Sequence, residues 1–398
     1  MLAGGGARGA YEVGVLDYIL RSLSRKMRRE LRFDILTGTS IGALNAAFVA
    51  SSADEPSQGI KRLKRIWETA RVQEVYNISW FGMARVALRL LNGGRGVALS
   101  GPARRFASVL NGLPLERLAR EQIPWGKITD NLKAGHIEAL SVTTTEVASG
   151  RTVHFLQSRD GSAPSWGGDP RKLVVPVQLQ AEHAMASAAI PVLFPSVMIG
   201  NHYYCDGALR ENTPVAPALR LGADRVLIVA LRHIDDTEPV VAPLKAPPYP
   251  SIPLVLGKLF QGFMVDPLEF ELETLARLNV LASHAEQDAQ DDPLHEHVDA
   301  LLTQVRGAGL RHVESLLVRP SQDFSLVAGE VMRSVPDGDW GRGPVARYMR
   351  RIGRATAGKE SDLLSFLFFD ARYTKELIEL GYQDAMKRTD ELEAFFGG

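Results

Sequence analysis

Apolar positions along the chain alternate between two periods. Val13, Leu16, Leu20 and Leu23 recur at helical spacing, and Phe33-Asp34-Ile35-Leu36 then reads as a short buried strand. Gly4-Gly5-Gly6-Ala7-Arg8-Gly9 stands before that helix, so the chain opens as a β-turn-α-β unit. Its first strand has only Met1, Leu2 and Ala3 available, and the expectation is that an upstream piece completes it. A second turn, Gly38-Thr39-Ser40-Ile41-Gly42, leads into Ala43-Leu44-Asn45-Ala46-Ala47, whose helix-forming residues predict a closely packed helix. Further strands are predicted at Ile137 to Thr143, Val153 to Leu156, His202 to Tyr204, Val226 to Leu231 and Val313 to Val318. Strands separated by helical patterns predict a largely parallel α/β sheet.

Other segments carry weaker patterns. Met83, Val86, Ala87, Leu90 and Leu91 form one helical stripe, with Arg85 and Arg89 on another face. Such a stripe is what a surface helix docked on a core shows, and it is also a candidate lipid contact, as is the loop around Leu254 to Phe263. Asp235 to Pro253 is rich in Pro and predicts a loop or linker, after which the chain turns helical. The polar run around His284, Glu286 and Asp288 reads as a solvated helical face. The chain shows no internal repeat.

Composition narrows the function classes. The 398 residues can bury a substantial core, and 45% hydrophobic with 23% charged residues describes an ordinary globular protein. The 46 basic side chains balance 46 acidic ones, so no global charge points to nucleic acid. A single cysteine, Cys205, excludes an internal disulfide and any multi-cysteine metal site. No apolar run approaches the roughly 18 to 20 residues that span a bilayer, and the amino terminus lacks the segments of a secretory signal. The expected location is cytoplasmic or peripheral to a membrane.

Three motifs carry chemistry. Gly38-x-Ser40-x-Gly42 lies between a strand-like and a helix-like run, and ester hydrolysis needs an exposed hydroxyl on such a sharp turn. The same pattern in a chain with 36 glycines also describes a plain tight turn. At the start of the following helix, the Ile41 N–H can stabilise a developing oxyanion. Gly4, Gly6 and Gly9 spell G-x-G-x-x-G, which fits a dinucleotide loop or a loop that aims backbone N–H groups at an oxyanion, with Arg8 adding charge or fixing the loop. Against the dinucleotide alternative, Asp34 comes too early in the second strand to hold a ribose. Asp206-Gly207-Ala208 follows the run Tyr203-Tyr204-Cys205; taken alone it is a turn, and at a strand end Asp206 is a candidate general base. Among the nine histidines, His233 is the best placed for a Ser, Asp, His order. His295 and His297 form H-x-H without further ligands at metal spacing, so no metal is expected.

In this order the motifs resemble the patatin-like phospholipases. The match consists of Gly4 to Gly9, Gly38 to Gly42, the segment Ala186-Ser187-Ala188-Ala189-Ile190-Pro191-Val192-Leu193-Phe194-Pro195, and Asp206-Gly207-Ala208, and it covers roughly residues 1 to 215. The resemblance implies a three-layer α/β/α fold with a mostly parallel sheet, a catalytic domain over 1–235 and a mainly helical extension over 236–398 packed on it. It implies a Ser40–Asp206 dyad without histidine, an oxyanion hole lined by Gly5, Gly6 and Arg8, and no cofactor. Substrates of such proteins are phospholipids, lysophospholipids, acylglycerols and simple esters, so lipid is the expected partner, with peripheral contact to a membrane. An acyltransferase would use the same dyad, a nucleotide-binding oxidoreductase would use the glycine loop, and a silent lipid-binding module would need neither Ser40 nor Asp206.

Overall fold

The computed structural model describes residues 1–78, 108, 110–163, 169–234, 262, 267–288, 300–301, 311–336 and 362–397. Its strands are β1 (Ile35–Thr39), β2 (Asn77–Ile78), β3 (Leu110–Asn111), β4 (Ala139–Glu146), β5 (Thr152–Ser158), β6 (Lys172–Pro176), β7 (Val197–Ile199), β8 (His202–Asp206), β9 (Arg225–Val229) and β10 (Glu314–Val318). The helices are α1 (Ala10–Arg21), α2 (Arg25–Glu30), α3 (Ile41–Ser51), α4 (Pro56–Glu68), α5 (Val72–Val75), α6 (Leu113–Gln122) and α7 (Trp125–Ala134). They continue as α8 (Ala181–Ser187), α9 (Val215–Arg220), α10 (Pro267–Asp288), α11 (Phe324–Ser334), α12 (Asp362–Leu367), α13 (Ala371–Met386) and α14 (Thr389–Gly397). The strands predicted from Phe33 onward are present, with ends shifted by a few residues, whereas the first strand, expected at Met1 to Ala3, is reduced to isolated bridges at Leu2.

The α/β class holds, and the sheet is mixed where a mostly parallel one was expected. β1 pairs with β4, β5 with β6 and β9 with β10 in parallel, whereas β4 pairs antiparallel with β5 and β8, and β7 with β8. The cause is connection length. Only Val147 to Arg151 join β4 to β5, and only Gly200 and Asn201 join β7 to β8, and links this short can return the chain only antiparallel. Leu2 forms parallel bridges to Gly38 on one side and Val229 on the other, joining β9 and β10 to β1.

Alternation along the strands assigns two different faces. Leu36, Leu140, Val142, Val153 and Phe155 enter the main core, which α1, α3, α4, α8 and α13 share. The opposite face of β1 and β4 carries the buried hydroxyls Thr37, Thr39, Ser141, Thr143 and Thr145. A smaller cluster covers this side of β9, where Val226, Ile228 and Ala230 pack with Val215 of α9 and Leu268 and Leu275 of α10. Helices therefore lie on both faces of the sheet.

α1 and α13 approach at backbone distance. A Cβ at Gly14 would collide with the Ile378 carbonyl, and one at Gly381 with the Tyr11 carbonyl, so the two glycines let the helices touch. The backbone of α10 runs helically through 284–288, as expected. The predicted loop Asp235 to Pro253, the stripe Met83 to Leu91, His295, His297 and all of 254–263 except Gly262 lie outside the described residues. Among the described residues no helix is long and apolar enough to cross a membrane.

Candidate active site

β1 and β8 share one edge of β4. β1 runs parallel to β4 and ends with Thr39 opposite Thr143; β8 runs antiparallel and ends with Asp206 opposite Thr144. The carboxyl ends of the two strands therefore meet head-on, and each is followed by a turn. Ser40, the first residue beyond β1, faces Asp206, the last residue of β8.

The turn at Ser40 is sharp because β1 passes directly into α3. Ser40 takes φ 55° and ψ −126°, a conformation that costs a non-glycine residue about 1–3 kcal/mol. Its neighbours must be small. A Cβ at Gly38 would strike the Gly42 carbonyl, and one at Gly42 the Leu2 carbonyl. Ser40 is 2% exposed, so the exposed hydroxyl expected from the turn is buried here, and Ser40 Oγ donates to Asp206 Oδ2 at 2.7 Å.

Asp206 is as deeply buried as the serine. Its Oδ1 accepts from the Ala208 N–H at 2.8 Å and its own N–H donates to the Ala189 carbonyl at 3.0 Å. Burial outweighs the hydrogen bonds from Ser40 and Ala208 and pushes the carboxyl up to about 7. Such an acid can hold or release a proton near neutral pH, which suits a general base. A Cβ at Gly207 would collide with the Thr143 carbonyl, so the residue after Asp206 is fixed as glycine by the approach to β4.

Two residues that the sequence does not distinguish complete the frame. Ser187, at the end of α8, accepts from the Ser40 N–H at 2.8 Å and donates to the Thr143 carbonyl at 2.6 Å. It ties the strained turn to β4. Asn212 exchanges two hydrogen bonds with Gly4: its Nδ2 donates to the Gly4 carbonyl and its carbonyl accepts from the Gly4 N–H, both at 3.2 Å. A Cβ at Gly4 would come within 3.0 Å of Ser40 Cβ, so the glycine loop lies against the serine. Hydroxyls of the sheet hold the whole segment from Asp206 to Pro214. Thr145 Oγ1 donates to the Asp206 carbonyl, Thr39 Oγ1 to that of Glu211 and Thr37 Oγ1 to that of Pro214.

The glycine loop forms a short 3₁₀ turn, Gly6–Gly9, that leads into α1. Among the described residues, the N–H groups of Gly5, Gly6 and Ile41 have no acceptor, as the first turn of a helix leaves them. Arg8 behaves differently from the expectation that it lines the oxyanion hole. Its Nε and Nη2 donate to Ser365 Oγ, at 2.9 and 2.6 Å, and its N–H donates to the Gly5 carbonyl. A cation buried this deeply requires partners, and Ser365 is one that ties Arg8, and with it the glycine loop, to α12. Gly9 packs on Ile41, where a Cβ would come within 2.7 Å of its side chain.

Among the described residues, no histidine takes part in the contact between Ser40 and Asp206. His233 Nδ1 lies 3.0 Å from the Pro320 carbonyl, and His183 Nδ1 accepts from the Gln180 N–H at the start of α8. His154 sits on the hydroxyl-lined face of the sheet, 3.2 Å from Thr143 Oγ1 and 3.5 Å from Glu211 Oε2. Burial lowers the His154 pKa, while His154 and then Lys172, 3.0 Å away, hold the Glu211 carboxyl below its usual range against the burial that would raise it. Asp34, the acid considered for a ribose, stands before β1 at the far end from Ser40, paired with Arg32. Cys205 is buried, and burial pushes its thiol up to about 11.

A cavity of about 330 Å³ opens beside Ala188 and Ala189, lined also by Leu113, Glu116, Arg120, Met185, Phe194 and Met198 among others. Ala188 and Ala189 directly follow Ser187, and Ala189 holds the Asp206 N–H. A larger cavity of about 670 Å³ opens between the beginnings of β1 and β9, at the opposite end of the sheet.

The sequence model of the family described as "Patatin-like phospholipase" matches residues 1–219, more than half of the chain. The chain belongs to the patatin-like phospholipase family. The matched region contains the glycine loop, Ser40, Ser187, Asp206 and Asn212, and family membership supports lipid acyl hydrolysis. None of the curated proteins matches the chain. Among solved structures, VipD from Legionella pneumophila aligns with a TM-score of 0.36 and 14% sequence identity, over 98% of this chain and 66% of the VipD chain.

Two measurements check the frame of this patatin-like site. Ser187→Ala leaves the buried Ser40 N–H without an acceptor, and the expected loss is about 1–3 kcal/mol in denaturant unfolding; unchanged stability would remove Ser187 from the frame. Asp206 has a folded pKa near 7 against the usual 3.8, so the native state favours the protonated acid and loses stability as pH rises from 4 through 7. Asp206→Asn is therefore expected to raise stability at pH 8 by roughly 4 kcal/mol relative to its effect at pH 4. An equal effect at both values would contradict the burial argument.

Proposed function

We propose that the protein is a serine acyl hydrolase of lipid esters, working through Ser40 and Asp206 without a histidine. The observation that carries this reading is the 2.7 Å hydrogen bond from Ser40 Oγ to Asp206 Oδ2, made where β1 and β8 meet inside the family-matched region. Ser40 Oγ attacks the ester carbonyl carbon as its proton passes to Asp206 Oδ2. The tetrahedral oxyanion is met by the N–H groups of Gly5, Gly6 and Ile41, helped by the amino-terminal dipole of α3. When the intermediate collapses, the leaving alcohol takes the proton from Asp206 and the acyl group stays on Ser40. Water then attacks the acyl-enzyme, Asp206 accepts its proton, and the proton returns to Ser40 as the fatty acid leaves.

The 330 Å³ cavity supports an acyl chain as the part of the substrate nearest the dyad. Its apolar members Leu113, Met185, Phe194 and Met198 suit hydrocarbon, and pockets of this kind take most of their affinity from such walls. In this reading residues 1–235 form the catalytic domain and 236–398 an extension packed on it.

Hydrolysis of a short p-nitrophenyl ester and of phospholipid in mixed micelles tests the dyad. Ser40→Ala and Asp206→Asn are expected to fold and to lose at least about a thousandfold in kcat/KM. Full activity of Ser40→Ala would sink the reading. The pH profile follows from Asp206: below about 7 the carboxyl is protonated and cannot accept the serine proton, so kcat/KM is expected to rise through an apparent pKa near 7 and level off above it. A limb in the usual carboxylate range would mean that a different group, or a much better solvated Asp206, acts as the base.

A further inference from the structure

The glycine loop is gripped from outside the family-matched region. Gly6 takes φ 57° and lies against the Phe366 backbone, where any Cβ would collide with the Phe366 carbonyl. Two residues on, the Arg8 guanidinium stacks on the Phe366 ring with 3.7 Å between its carbon and the ring centroid, and donates twice to Ser365 Oγ. Phe324 of α11 stands on the same cation at 5.7 Å. On its other side the loop meets Leu231, which a Cβ at Gly5 would approach to 2.5 Å. Gly5 and Gly6 are thus held between the end of β9 and the end of α12.

α12 is itself fastened to the catalytic layers. Tyr76 Oη donates to the Leu367 carbonyl at 2.6 Å, Phe369 stacks on Trp67 at 5.9 Å, and Thr374 Oγ1 donates to the Trp67 carbonyl at 2.7 Å. The Ser365 hydroxyl is also hydrogen-bonded to Tyr373 of α13. A clamp with this many fixings transmits position to the loop it grips. Oxyanion donors act only when their direction is fixed before the charge appears, so the clamp bears on the chemical step and not on ground-state binding.

We propose that Ser365 and Phe366 are positioning residues of the reaction, which set the direction of the Gly5 and Gly6 N–H groups through Arg8 and the Gly6 contact. The inference rests on the hydrolase reading above and assigns a role in catalysis to the segment around α12, which lies beyond residue 219. Loss of the Ser365 hydroxyl removes two hydrogen bonds of the buried guanidinium, and loss of the Phe366 ring removes the face on which it rests. In either case Arg8 must find new partners, and the turn that contains Gly6 moves with it.

The test compares full-length wild type, Ser365→Ala, Ser365→Thr and Phe366→Leu in ester hydrolysis, together with amide hydrogen exchange of residues 4–9. The expected result for Ser365→Ala and Phe366→Leu is a fall of about tenfold or more in kcat with KM held within about twofold. Exchange at residues 4–9 is expected to quicken in both, and Ser365→Thr, which keeps the hydroxyl, to restore kcat and slow exchange. Unchanged kcat in all variants overturns the proposal, as does a fall that Ser365→Thr does not recover or that is matched by a rise in KM. Ser40→Ala assayed beside them separates the two failures. Turnover that survives Ser40→Ala, or inactive wild type, removes the hydrolase reading, while the exchange data still decide whether Ser365 and Phe366 hold the loop.

Discussion

One edge of β4 has to serve two strands, and the site depends on how it is divided. β1 occupies the first half of that edge, β8 the second, and the two arrive from opposite directions. Because each strand carries its functional residue at or just beyond its carboxyl end, the division fixes the separation of Ser40 and Asp206 to within a hydrogen bond. No flexible loop intervenes. The requirement explains why the sheet is mixed: β8 must run against β4 for its end to meet the end of β1, and the β7–β8 hairpin turns the chain the right way.

That arrangement leaves polar groups in the interior, and the hydroxyl-lined face of the sheet meets part of the need. Thr37 and Thr39 on β1 and Thr145 on β4 each donate to a carbonyl of the segment Asp206 to Pro214. The same segment ends in the loop where Asn212 holds Gly4, so one stretch of chain carries Asp206 and positions the glycine loop. Against these contacts stand two costs, the backbone strain at Ser40 and the desolvation of Asp206. Both are concentrated where the chemistry is expected, and a site that holds a half-protonated acid beside a strained serine is less stable than the same fold with neutral, relaxed residues there.

Much of this was legible in the sequence, for local reasons. A turn between a strand pattern and a helix pattern forces small residues beside Ser40, so Gly38 and Gly42 are visible as a motif. Asp206 is visible because a strand-like run ends on it. Ser187 is not, since a serine among alanines is unremarkable until the chain brings it against Ser40, 147 residues away. Arg8 was visible as a residue but not as a clamp, because its partner Ser365 lies 357 residues on. The direction of the strands had a readable signal in the five residues between β4 and β5, including Ser149-Gly150, which is a hairpin length and too short for a parallel crossover.

The division between what the family match covers and what it leaves out has a physical meaning. Among the described residues, the hydrogen-bond partners of Ser40 and Asp206 lie within residues 1–219, yet the glycine loop beside that pair is enclosed on one side by α12. A loop of four glycines has little conformational preference of its own, so its geometry must come from neighbours. Asn212, 208 residues along the chain, and Leu231 provide some of them, and Ser365 and Phe366 provide others from the far end of the sequence. The dyad is therefore set by strand pairing, which is local to the sheet, whereas the loop is set by packing across the whole molecule. On the role proposed for Ser365 and Phe366, changes in the region beyond 219 alter catalysis without touching the serine, the aspartate or the strands that bring them together.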